Sequence, residues 1–72
     1  MTMEIRYDKE ADAIYIRLRE GEFAKNKKID DLTILDLDAE DNILGIEILD
    51  ASKRIPPESL SEVHVKNMLA VA

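Results

Sequence analysis

Apolar and polar residues alternate along much of this chain, and the alternation marks strands. Met3, Ile5 and Tyr7 interleave with Glu4 and Arg6, the period-2 pattern of a half-buried strand. The polar residues 8–12 break it, and alternation resumes with Ile14, Ile16 and Leu18 on one side and Tyr15, Arg17 and Arg19 on the other. A hairpin across that turn sets Tyr7 opposite Ile14, Ile5 opposite Ile16 and Met3 opposite Leu18, all on one face. Residues 20–31, with Gly21 and the polar run 25–28, read as a connecting loop whose only large apolar residues are Phe23 and Ile29. A strand follows over 32–38, then the short turn 39–42, then the stretch Ile43 to Asp50, which reads as the central strand with Leu44, Ile46 and Ile48 on one face. Leu37 opposite Leu44 and Leu35 opposite Ile46 keep the core face consistent.

The pattern therefore predicts an α+β fold: a four-stranded antiparallel β-meander over residues 3–49 with one C-terminal helix. Pro56 and Pro57 end any strand, and Ser59-Leu60-Ser61-Glu62 has the spacing of a capping box, so a helix is expected over about 59–70. Its stripe of Leu60, Val63, Met68 and Leu69 is imperfect, and a strand across Val63, His64 and Val65 is the rival. All 72 residues form one small domain.

A chain of this length hides only about 60% of the surface its unfolded form exposes. Without cysteine or a His/Cys cluster, neither disulfides nor structural zinc can staple it. Tight packing and self-association remain. Leu32, Ile34, Ile43 and Leu49 point away from the assigned core face, and an apolar patch on a lone domain marks an interaction site. With Tyr15, Arg17, Gly45 and Glu47 they form the expected self-association or partner surface. A fold-over of the C-terminal segment or of the 20–31 loop is the alternative cover. Gly45, inside a strand, marks a bulge or the close approach of another backbone.

Two blocks of this sequence stand out together: Tyr7-Asp8-x-x-x-Asp12-Ala13-x-Tyr15-Ile16 and Gly45-Ile46-Glu47-Ile48-Leu49-Asp50-Ala51-Ser52. With them the chain resembles, over about residues 3–55, the small prokaryotic family catalogued as domain of unknown function twenty-two eighty-three. The resemblance implies a compact cytoplasmic β-rich domain, in some genomes encoded beside small toxin-like proteins. It implies no activity.

Charge narrows the partners. The formal net charge is −6, which repels phosphate backbones and attracts a basic protein. Lys25, Lys27 and Lys28 lack interleaved aromatics, so nucleic acid is not expected. No apolar run approaches the ~20 residues of a membrane helix, no apolar leader opens the chain, and a cytoplasmic setting is expected.

Candidate chemistry is sparse. Oxygen donors from Asp36 to Glu47 imitate a calcium loop, but its sixth position holds Asp41 where a glycine must turn, and its flanks alternate as strands. An acidic hairpin turn is the simpler reading. Arg6, Tyr15, Arg17, Asp36 and Glu47 share the outer face, where Arg17 and Glu47 pair if the second and fourth strands are neighbours. His64, the only histidine, lies at helical spacing from Ser61, without an orienting acid or an oxyanion hole. No catalytic, cofactor or metal residue is therefore assigned, and no cofactor is expected. The leading expectation is a non-enzymatic, homodimerising interaction module. An antitoxin-like neutraliser of a small basic protein comes second, and an enzyme or ligand site on the outer face third.

Overall fold

The computed structural model describes residues 3–66. They form five antiparallel strands: β1 (Glu4–Asp8), β2 (Ala13–Arg17), β3 (Lys25–Asp30), β4 (Thr33–Leu37) and β5 (Ile43–Leu49). Two single-turn helices follow, α1 (Ala51–Arg54) and α2 (Pro57–Leu60). The spatial order is β1-β2-β5-β4-β3, with β5 central as the periodicity expects.

The four-stranded meander is corrected in two respects. The polar run from Lys25 to Asp30 is a fifth strand, exposed along its whole length and held by β4 alone. Its lysines carry no hydrophobic alternation, so the partner imposes the strand rather than the sequence. The chain also does not pass from β2 to its neighbour. It leaves Arg17, crosses the end of β5 and enters the far edge. Leu18 and Arg19 both donate backbone N–H groups to the Leu44 carbonyl, at 2.8 and 3.3 Å, and Ala24 donates to the Leu37 carbonyl at 2.9 Å.

The first hairpin has the expected register, Ile5 opposite Ile16 and Tyr7 opposite Ile14. Across the sheet, Ile16 faces Ile46 and Ile46 faces Leu35, which builds an apolar front face. Arg6, Tyr15, Glu47, Ile34 and Lys28 form one row of the back face, and Glu4, Arg17, Gly45, Asp36 and Asn26 the next. Beyond the second row the pairing slips: Asp36 faces Gly45 but Leu37 faces Ile43, leaving Leu44 as an extra residue in β5. This bulge overturns two assignments. Leu44 turns to the back, beside Tyr15 and Asp36, and Ile43 turns to the front, beside Leu35 and Leu37. Leu37 therefore pairs with Ile43, not Leu44.

The helix expected over 59–70 is also corrected. Pro57, with its pre-set φ, opens α2 two residues before the capping-box serine. Ser61 ends it, its hydroxyl donating to the Glu58 carbonyl at 2.9 Å, and residues 62–66 are neither helix nor strand. Positions 67–70 lie outside the described residues. The β-branched Val63 and Val65 disfavour continuing the helix. Ile55, Leu60 and Val63 instead face Ile5, Tyr7 and Ile48 across a cavity of about 260 Å³. The tail thus approaches the front face over β1, β2 and β5. Phe23, beside Leu44 on the back, stays more than half exposed, as does Ile29.

The two sequence blocks meet at Asp12. This residue sits in the left-handed region, φ 52°, which aspartate tolerates better than most side chains. Its carboxylate accepts hydrogen bonds from the Tyr7 hydroxyl at 3.0 Å, the Ser52 N–H at 3.0 Å and the Ser52 hydroxyl at 2.7 Å. Its carbonyl accepts the Ala51 N–H at 2.9 Å, and Ala51 is fully buried. Ser52 above all holds the Asp12 carboxyl below its ordinary pKa, while the bond to Asp12 raises the Tyr7 phenol. Asp12→Ala removes every side-chain bond of this junction at once. It is expected to lower the melting temperature by about 5 °C or more, read by circular dichroism, with the β-sheet signal at 20 °C retained below the transition.

Candidate functional site

The centre of the back face is where ionisable groups converge. β2 and β5 bring Tyr15 opposite Glu47 and Arg17 opposite Gly45; β4 brings Asp36 opposite Gly45 from the other side. Gly45 is the gap through which they meet. A Cβ there would lie 2.5 Å from the Tyr15 hydroxyl and 2.9 Å from the Ile16 carbonyl oxygen. The phenol therefore lies over bare backbone and reaches the Asp36 carboxylate.

Asp36 is the one buried charged residue among those described, 8% exposed. Asn26 on β3 donates to its Oδ1 at 2.7 Å, so the overlooked edge strand also supports the site. Glu47, half-buried, hydrogen-bonds the Asp36 carboxyl. That bond, then burial and the like charge beside it, pushes the Glu47 pKa from 4.5 up to about 7. Two carboxyls this close retain a proton between them, because ionising both leaves unscreened repulsion. Burial first, and then the Asp36 charge, raises the Tyr15 phenol, with Arg17 opposing.

The sequence reading placed Arg17, Tyr15 and Glu47 on one face, and all three are there. The expected Arg17–Glu47 ion pair is not formed: Arg17 lies 3.8 Å from Glu4, which Arg6 also holds at 2.9 Å. Glu47 turns to Asp36 instead. Leu32, Ile34 and Leu49 are half-buried toward the α1 end, whereas Ile43 is on the front. Asp36, on the outer face by its alternation but outside the expected self-association surface, joins Tyr15 and Glu47. A carboxyl directly across a strand glycine, with a second carboxyl diagonal to it, was the signal.

The calcium-loop residues disperse. Asp38 closes the hairpin turn, accepting from the Glu40 and Asn42 N–H groups at 2.9 and 2.8 Å and from the Asn42 amide at 2.9 Å, and these bonds hold its pKa down. Asp41, at φ 66°, pairs with Lys25. Among the described residues no group of three or more His, Cys, Asp or Glu side chains could hold a metal ion. His64 is exposed, and the Ser61 hydroxyl is engaged with Glu58.

Chemically, the carboxyl pair can hold and release a proton near neutral pH. Beside it a cavity of about 450 Å³ is bordered by Tyr15, Arg17, Arg19, Phe23, Asp36 and Leu44. No side chain here is arranged as a nucleophile with a base and an orienting acid.

Two variants test this geometry. A raised carboxyl pKa means the folded state holds the proton more tightly than the unfolded chain. The stabilisation is therefore complete below about pH 4.5 and lost as the pH rises through about 7. Glu47→Gln keeps a donor toward Asp36 without the charge, so it is expected to abolish that slope and to exceed the natural protein by about 1 kcal/mol at pH 8. Urea unfolding at pH 5 and pH 8 measures it. Gly45→Ala forces a methyl against a backbone oxygen that cannot move aside, and a loss of about 1–3 kcal/mol is expected in the same assay.

No helix among the described residues is long and apolar enough to cross a membrane. No curated protein and no solved structure matches the chain. One family does: its sequence model, described as protein of unknown function (DUF2283), matches residues 4–52. That stretch runs from the first strand to the serine that Asp12 holds, so the family pattern spans the whole sheet and its junction with α1, and the chain belongs to the DUF2283 family.

Proposed function

We propose that the protein is a non-enzymatic interaction module whose working form is a homodimer in the cytoplasm. The observation that carries this reading is the apolar strip along β1. Met3, Ile5 and Tyr7 are 60, 47 and 40% exposed, side by side at the margin of the front face. The fold is a single sheet with a short tail against part of its front, 37 × 33 × 18 Å, with only Ile14, Leu37, Leu44 and Ala51 as buried apolar residues among those described. An exposed apolar strip of this kind marks an interaction site, and a chain this short gains stability most directly from another copy. The formal charge of −6 favours, as the second reading, capture of a small basic protein in the manner of an antitoxin. Sedimentation equilibrium at micromolar concentration is expected to return twice the 8.2 kDa chain mass. A monomer throughout the micromolar range counts against the module.

A further inference from the structure

Resting on the self-association reading, we infer that two copies join edge to edge through β1, antiparallel and centred on Ile5, into one continuous ten-stranded sheet, five strands from each copy. Among the described residues the sheet has two free edges, β1 and β3. β3 carries Lys25, Lys27 and Lys28 along an exposed strand, the usual guard against strand addition. β1 carries charges of both signs instead, Glu4, Arg6 and Asp8, which can pair with a second copy rather than repel it. Its residues are exposed throughout, and its outer backbone groups have no partner strand among the described residues.

The sequence of β1 selects the register. Antiparallel pairing about a two-fold axis sets residue i opposite residue j with a constant sum. Odd sums turn the apolar face of one copy to the polar face of the other, so five centres remain, residues 4 to 8, and the one on Asp8 sets that carboxylate against its own copy. A centre on Glu4 puts Glu4 against its own copy. A centre on Arg6 puts Arg6 against Arg6 and Glu4 against Asp8, like charges twice over. A centre on Tyr7 sets Arg6 against Asp8 but carries the apolar Ile5 onto Lys9, a charged residue of the turn. The centre on Ile5 sets Glu4 against Arg6 on the back, twice by symmetry, and Ile5 against Ile5 and Met3 against Tyr7 on the front. Opposite charges and apolar pairs directly across a ladder stabilise it, and like charges destabilise it. This register satisfies every position from Met3 to Tyr7. It also joins the two exposed apolar strips into one.

The absence of cysteine makes the test direct. Directly opposite residues have Cα atoms about 4.5–5.5 Å apart, within disulfide reach, whereas diagonal ones lie about 7–8 Å apart. Single cysteines at positions 4, 5, 6 and 7 are each oxidised in an otherwise natural chain. Ile5→Cys is expected to form the linked dimer at least tenfold faster than the other three. As a second measurement, Glu4→Arg and Arg6→Glu are each expected to weaken dimerisation by about tenfold, and the double exchange to restore it. Fastest linking at another position, linking at none, or a double exchange no better than the singles overturns the register. A natural chain that still sediments as a dimer in that case leaves the self-association reading standing; a monomer removes both.

Discussion

The extra residue that β5 carries at Leu44 decides how both faces of the sheet are used. Without it, strict alternation would keep Leu44 with Ile46 and Ile48 in front and put Ile43 at the end of the back face. With it, Leu44 closes the back beneath the β2–β3 crossing, and Ile43 joins Leu35 and Leu37 in front. The same Leu44 carbonyl receives two N–H groups from the departing end of β2. A local slip in pairing thus fixes the route of the connection that makes the sheet five-stranded instead of a meander.

What the residues alone disclosed follows from how each signal arises. The β1–β2 register was legible because six apolar positions had to share one face, and any one-residue slip reverses them all. The pairing of Leu35 with Ile46 was legible for the same reason. β3 was not, because an edge strand exposed on both sides needs no hydrophobic period. The places of Leu44 and Ile43 were not, because a bulge resets the alternation without altering composition. The capping-box pattern at Ser59 was present but displaced by Pro57, which is itself well suited to a first helical position.

The convergence on the back face was half visible. Charge sorting by face places Tyr15, Arg17, Asp36 and Glu47 together, and opposite charge as the pairing rule points to Arg17 with Glu47. Gly45 reverses that rule. By removing one side chain it lets a phenol and a second carboxyl close on Asp36, and a shared proton takes the place of an ion pair. The cationic groups are spent elsewhere: Arg6 and Arg17 gather at Glu4, and the Arg54 guanidinium holds the Leu32 carbonyl and the Thr33 hydroxyl at 2.7 and 2.8 Å.

The bond between Asp12 and Ser52 joins residues 40 positions apart, and this separation bears on the order of folding. Strands β3, β4 and β5 are successive neighbours that can zip together through short turns. Bringing β5 against β2 closes a much longer loop, and its entropic cost is met before the Asp12 junction returns anything. The junction is therefore a late contact. It lengthens the lifetime of the folded molecule by slowing its opening, and leaves the speed of assembly nearly unchanged.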